Sequence, residues 1–306
     1  MAIEVHDLVK RYKSLTAVDS LSFEVADGAA FAFLGSNGAG KSTTIACLTT
    51  LLPFDSGEVR VSGLDVRTHG EDVRRRIGVV FQDSLMDDAL TVRENLRFRA
   101  HLMHLDRSVA ARRIEELATL IELDDFLDRR YGRLSGGQRR RADIARALVH
   151  DPDILFLDEP TAGLDPASRI AVWRTVQTLR VQRGLTVFLT THYMEETEEA
   201  DAVCIIDAGR IVAQGTPTEL RSQHSRSILT ITTLDPAGIE ELARARGLDT
   251  ETAGDIVTIA VPDSVTAQGL LVTHGSAVRD FEFRHGRMDD VFLAVTGRGS
   301  EEPAAA

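Results

Sequence analysis

Three short segments of this 306-residue chain combine residue types whose spacing suits phosphate chemistry. The first, Gly35-Ser36-Asn37-Gly38-Ala39-Gly40-Lys41-Ser42-Thr43, fits G-x4-G-K-[ST]. Glycines let backbone amides turn inward around phosphate oxygens, and a following helix adds the positive end of its dipole. Lys41 reaches the outer phosphates, and the Ser42 hydroxyl can ligate Mg2+. A glycine-rich turn is the plainer reading of the motif alone, but an apolar strand before it and a helix after it are the context that phosphate binding requires. The second segment, Ile154-Leu155-Phe156-Leu157-Asp158-Glu159, is an apolar run that ends in two carboxylates. Asp158, at the carboxyl end of a buried strand, is placed to hold Mg2+ through water. Glu159 lies one residue further into the crevice, where an attacking water would sit. By itself this is an acidic turn; beside the glycine loop it points to nucleotide hydrolysis. The third segment, Leu134-Ser135-Gly136-Gly137-Gln138, stands directly before an arginine-rich helix at 139–149 and on its own would read as a turn and helix cap.

The elements that must position these residues follow from periodicity. Ile3 and Val5, then Leu21, Phe23 and Val25, alternate with polar neighbours, and Ala30 to Leu34 is a short apolar run, so residues 1 to 33 are expected to be strands. A helix should start at Lys41. Thr91 followed by Glu94 has the capping-box spacing, and residues 91 to 150 read as mostly helical. From Asp153 the runs ILFL, LTVFLT and AVCIID alternate with helical stretches, as parallel strands joined by crossover helices do. After Leu220 the polar RSQHSRS reads as a linker. Beyond it the order is strand, helix, weak strand, strand, helix, strand and helix up to Val295, which resembles a split βαβ, ferredoxin-like unit. No phosphate-binding constellation occurs in 228 to 297, which are expected to serve dimer or partner contacts and regulation.

Composition narrows the function classes. No stretch approaches the roughly 20 apolar residues that a membrane-spanning helix needs, and the N-terminal MAIEVHDLVKRY lacks the pattern of an export signal, so a cytoplasmic chain is expected. The net charge of -12 argues against a protein that tracks a nucleic-acid backbone. The run Arg139 to Arg141 then reads as a solvated or interdomain helix face. Cys47 and Cys204 sit in apolar segments, as buried reduced thiols do. Of 35 Lys+Arg residues only Lys10, Lys13 and Lys41 are lysines, which singles out Lys41.

In this order and spacing, the glycine loop, LSGGQ and the LDEP strand end resemble the nucleotide-binding domain of ABC proteins. The resemblance covers roughly residues 1 to 220. It implies an α/β P-loop ATPase domain with a mostly parallel sheet, antiparallel N-terminal strands and a helical subdomain. A small α+β C-terminal domain would occupy 221 to 297 and a disordered tail 298 to 306. It also implies roles residue by residue. Tyr12 would stack on adenine, Gln82 would touch Mg2+ and sense a membrane partner, Asp165 would cross between paired subunits, and His192 would contact the γ-phosphate. Ser36 departs from the proline of many relatives, at a position that faces away from phosphate in the family.

The resemblance further implies ATP and Mg2+ as ligands, with Ser42, Gln82 and Asp158 at the metal and Lys41, Glu159 and His192 in catalysis. Two copies would pair head to tail around two ATP molecules, so that Ser135, Gly136, Gly137 and Gln138 of one copy cover the γ-phosphate on the loop of the other. A separate membrane permease would dock near Gln82 and the helical region 83 to 130, placing the chain on the cytoplasmic face of the membrane. The arginine-rich helix, the segment Gly163 to Arg169 and Asp289 to Gly297 are most similar to the daunorubicin-resistance branch, which exports drugs or lipids. An importer subunit and a non-transport ABC ATPase are the alternatives.

Overall fold

The computed structural model describes residues 1–297, so the expected tail at 298–306 lies outside the described residues. The chain divides into two compact units, with the division between Gln214 and Gly215.

The first unit opens with β1 (Ile3–Tyr12), β2 (Leu15–Val25) and β3 (Ala30–Gly35), followed by α1 (Lys41–Leu48), β4 (Ser56–Val61), β5 (Leu64–Asp65), α2 (Gly70–Arg76) and β6 (Ile77–Val80). The helices α3 (Val92–Leu102), α4 (Arg107–Leu120) and α5 (Gly136–Leu148) come next. The unit ends with β7 (Ile154–Asp158), α6 (Pro166–Arg183), β8 (Thr186–Thr191), β9 (Ala202–Asp207) and β10 (Arg210–Gly215). Strands β2-β1-β4-β5 form an antiparallel sheet, and a six-stranded sheet runs β10-β9-β3-β8-β7-β6. In that second sheet β3 lies parallel to β8 and β9, and β7 parallel to β6 and β8. Every residue of β3, β7 and β8 is buried, which is why these strands read as unbroken apolar runs. Phe23 of the antiparallel sheet stacks on Phe31 at 5.4 Å, and Phe188 contacts Phe31, Phe33 and Phe156 at 5.4 to 5.5 Å. This aromatic seam fills the space between the sheets, each ring contributing roughly 1.5–3 kcal/mol by burial.

Thr91 caps α3 with Glu94 in the expected capping box, and the region 91–150 is helical with short 3-10 turns at Asp124–Phe126 and Tyr131–Arg133. Among the described residues no helix is long and apolar enough to cross a membrane.

The second unit contains α7 (Pro217–His224), β11 (Ser227–Thr233), α8 (Pro236–Ala245), β12 (Thr250–Ala253), β13 (Ile256–Val261), α9 (Ser264–Thr273), β14 (Val278–Arg284) and α10 (Met288–Thr296). Its sheet order β12-β13-β11-β14, antiparallel throughout, is that of a split βαβ unit. The expected linker is instead mostly helix. Thr216 and Glu219 form a capping box, Pro217 occupies the first turn, and buried Leu220 gives α7 an apolar anchor. The unit boundary therefore precedes α7 and does not fall at Leu220.

Candidate nucleotide site

The site is assembled where the carboxyl ends of β3, β7 and β8 meet the N-terminus of α1. Parallel strands place their C-terminal residues along one edge, and ligands of such sheets gather there. Gly40 leads into α1 with φ +108°, a conformation that favours glycine, and a Cβ on it would lie 2.4 Å from the Ala17 carbonyl oxygen. The loop thus needs glycine at this position for both its turn and its fit.

Lys41 is 5 % exposed. Its Nζ donates to the carbonyls of Gly35 at 2.7 Å and Ser36 at 3.2 Å, and lies 3.2 Å from Glu159 Oε1. Ser42 Oγ donates to Asp158 Oδ1 at 3.3 Å, and Thr190 Oγ1 donates to the same oxygen at 2.6 Å. Glu159 stands at φ +46°, in a region that costs a non-glycine residue roughly 1–2 kcal/mol. Its N–H is held by Thr190, at 3.1 Å from Oγ1 and 3.2 Å from the carbonyl oxygen. Its carboxylate sits between Lys41 and His192, whose Nδ1 is 3.2 Å from Oε2. Lys41, Ser42, Asp158, Glu159 and His192 thus form one cluster of a cation, a hydroxyl, two carboxylates and an imidazole.

Beside this cluster opens a cleft of about 720 Å³, of a size that accommodates a nucleotide. Ser36, Asn37, Gly38, Gly40, Lys41, Ser42 and Thr43 line it, together with Gln82 and Glu159. At its mouth the Tyr12 ring is 44 % exposed, with Lys10 Nζ 5.3 Å from its centroid. Gly35 and Ala39 support the loop from behind: Ala39 is buried, and its carbonyl accepts from the Gly209 N–H at 3.0 Å. Ala17, Ala208 and Gly209 also line the cleft and carry no signal a sequence pattern would register.

Ser42 and Asp158 bring a hydroxyl and a carboxylate oxygen together, the hard oxygen donors that suit Mg2+. Among the described residues there is no group of three or more His, Cys, Asp or Glu side chains arranged to hold a metal. A site with few protein ligands, completed by water and phosphate oxygens, is the usual arrangement for this ion.

The LSGGQ segment lies apart from the cleft within one chain. Ser135 caps α5, its Oγ accepting from the Gln138 N–H at 3.3 Å while the Gln138 side chain accepts from the Ser135 N–H at 3.1 Å. Neither these two residues nor Gly136 and Gly137 line the cleft. Gly137 abuts α6 so closely that a Cβ would stand 2.8 Å from Ser168 Oγ. Ser168 in turn bonds Asp165, which caps α6 through Oδ1 at 2.9 Å. These two bonds hold the Asp165 carboxyl below the usual range. Asp165 is thus a helix cap beside the LSGGQ segment and likewise outside the cleft-lining residues.

The arginines at 139–141 do not form a single solvated face, because the middle one points inward. Arg140 is buried, donating to the carbonyls of Phe81, Glu159 and Pro160, whereas Arg139 bonds the Gly132 carbonyl and Arg141 the Glu122 carbonyl. The strand-end carbonyls require donors, and α5 turns Arg140 toward them. The two cysteines are free and buried, with the Cys47 thiol pushed up to about 11 by burial.

Comparison with known proteins agrees with this geometry. The ABC transporter family pattern matches residues 18–162. The chain is 41% identical to the daunorubicin/doxorubicin resistance ATP-binding protein DrrA of Streptomyces peucetius, across 98% of this chain and 94% of that protein. It is 38% identical to the Nod factor export ATP-binding protein I of Burkholderia thailandensis, across 98% of each. Among solved structures, cbiO1 of Clostridium perfringens, part of an ABC transporter complex, matches with a TM-score of 0.68 at 27% identity, covering 79% of this chain and 94% of that one. A dimeric ATP-binding cassette in a post-hydrolysis state with ADP and Pi matches with a TM-score of 0.63 at 25% identity, covering 70% and 98%. Motifs, fold and near full-length similarity converge: the chain belongs to the family of ABC transporter ATP-binding subunits, nucleotide-binding ATPases that power transport.

Proposed function

We propose that this chain drives export, of a drug, antibiotic or lipid, through a separate membrane permease, and that Glu159 is the group that activates water. The observation that carries the catalytic reading is the placement of the Glu159 carboxylate at the rim of the cleft, 3.2 Å from Lys41 and 3.2 Å from His192. In this reading Tyr12 stacks on adenine, the amides of residues 35 to 43 and the Lys41 ammonium hold the phosphates, and His192 contacts the γ-phosphate. Ser42, Asp158 and Gln82 would hold Mg2+, which supplies positive charge against the phosphate oxygens. Glu159 orients a water and accepts its proton as the water oxygen bonds to the γ-phosphorus. The bond to the ADP oxygen breaks, and ADP and phosphate leave.

Ser135 to Gln138 do not line the cleft of their own chain, which favours a second copy, placed head to tail, as their site of action. Asp165, beside them, then belongs to the seam between the copies. The export reading is supported by relatives named for drug resistance and for Nod factor export. A membrane partner is supported by a groove of about 370 Å³ that exposes Leu85 and Leu102 alongside Phe81 and Met103, with Arg99 and Arg146 in its lining. Such a lining suits an apolar cytoplasmic segment that carries an acidic residue, and it begins one residue from Gln82. The chain would then work at the cytoplasmic face of the membrane.

Phosphate release by the purified chain tests the catalytic reading. Glu159→Gln should lower turnover by ~10²–10⁴-fold with nucleotide binding retained. Turnover at the normal rate would remove Glu159 from this role, and failure to co-purify any permease from gently solubilised membranes would count against the partner.

A further inference from the structure

Arg140 is 7 % exposed, and each of its three guanidinium nitrogens donates to a backbone carbonyl. Nε donates to Pro160 at 2.6 Å, Nη1 to Phe81 at 2.7 Å and Nη2 to Glu159 at 3.1 Å. A planar guanidinium can satisfy carbonyls in several directions at once, whereas an ammonium offers a compact charge on a flexible stem. Burial pulls the Arg140 pKa down, against the opposing pull of Asp143, Tyr131, Asp158 and Glu196. Burying a cation is costly, so its position calls for a structural or functional reason.

The reason lies in the turn that follows β7. Glu159 stands in the left-handed region with its N–H fixed by Thr190 and its carbonyl fixed by Arg140. Both ends of that residue are therefore tied, and its carboxylate is delivered to the gap between Lys41 and His192. Through Phe81 the same guanidinium also holds the chain end that carries Gln82. One turn along α5, Asp143 accepts from Ser84 Oγ at 2.5 Å and from the Tyr131 hydroxyl, so two neighbouring side chains of this helix grip the segment after β6. Arg140 does not line the cleft and has no direct path to the nucleotide.

We propose that Arg140 is a positioning residue for hydrolysis: it locks the left-handed turn at Glu159 and registers that turn to the strand end bearing Gln82. The inference rests on the reading of Glu159 as the water-activating group, and its test separates the two.

Five proteins are compared: wild type, Arg140→Met, Glu159→Gln, the double variant of these two, and Arg140→Lys as a second probe of the same position. Steady-state ATP hydrolysis, affinity for a non-hydrolysable ATP analogue and thermal unfolding are measured on each. Loosening the turn should lower kcat by about 10–100-fold in Arg140→Met, since small misplacements of a catalytic group cost that much. Analogue affinity should stay within about threefold of wild type, and Arg140→Lys should fall between the two. In the Glu159→Gln background, Arg140→Met should cause no further loss, because both changes disable one device. A folded Arg140→Met with normal kcat would overturn the proposal, as would losses that multiply in the double variant. If Arg140→Met does not fold, a parallel fall of kcat and analogue affinity in Arg140→Lys would also overturn it, while a fall in kcat alone would support it. Normal turnover by Glu159→Gln would strike the reading beneath the proposal and the proposal with it, whereas a dead Glu159→Gln beside a fully active Arg140→Met strikes the proposal alone.

Discussion

The two units of this chain handle charge in opposite ways. The first buries Lys41, Arg140, Asp143, Asp158 and Glu196; in the second, the buried polar side chains among the described residues are Ser227 and Thr233, both uncharged. Around α8, α9 and their sheet the core is plain aliphatic packing of Leu229, Ile231, Val257, Ile259 and their neighbours. Buried charge is expensive to hold and strong in its local effects, so a unit that accumulates it around a cleft is built for chemistry. A unit whose buried residues carry no charge is suited to fold and to present surface. The comparison favours ATP handling by residues 1–214, where the cleft lies; contacts and regulation by the rest stand as a proposal.

Removing Lys41 should break the comparison most severely. The ammonium is the one buried lysine of the cleft, and Lys41→Ala should abolish tight ATP binding and lower hydrolysis by ~10³-fold or more, read by fluorescent-nucleotide titration and phosphate release. A variant that still bound ATP tightly would show that the loop amides suffice without the side chain.

Acid should act next, and on the first unit. His150 Nε2–H donates to the Ile77 carbonyl at 3.0 Å, and burial depresses its pKa from 6.5 to about 4. Below pH 6.5 the unfolded chain takes up a proton that the folded chain refuses, so stability present at pH 7 is lost as pH falls from about 6.5 toward 4. The full effect is on the order of 3 kcal/mol. Urea midpoints at pH 7 and pH 5 should diverge less in His150→Gln than in wild type. An equal divergence would place the acid sensitivity elsewhere.

The smallest effect is expected from removing the second unit. A chain ended after Thr216 keeps β10 whole and should bind ATP within about twofold of the full-length value, since every residue lining the cleft lies in the first unit. Loss of affinity in that truncated, folded chain would erase the division of labour.

Legibility in the sequence varied with how local the cause was. The glycine loop, the strand ending at Asp158 and the alternation that marks Ile256–Val261 are local patterns, and the fold delivers them as strands and turns in register. The run RSQHSRS reads as linker because the part of α7 after Leu220 carries no apolar residue, while the capping signal at Thr216 lies upstream of it. Arg140 was hidden for a different reason. In a run of three arginines nothing local tells which one faces inward, and its partners come from segments 19, 20 and 59 residues away. Thr190 was equally silent: its hydroxyl in an apolar strand was visible, but its bonds to Asp158 and Glu159 arise only when β8 is laid beside β7.

The central claim is that Glu159 acts on water within a site that two copies complete, and light scattering coupled to size-exclusion chromatography tests it most directly. With hydrolysis blocked in Glu159→Gln, ATP and Mg2+ should hold the protein as a dimer, and ADP should leave it monomeric. Ser135→Arg, added to that variant, places a bulky cation where the partner's γ-phosphate belongs; it should abolish the dimer while ATP affinity of the monomer stays within about twofold. A Glu159→Gln protein that binds ATP yet remains monomeric at high concentration would contradict the account.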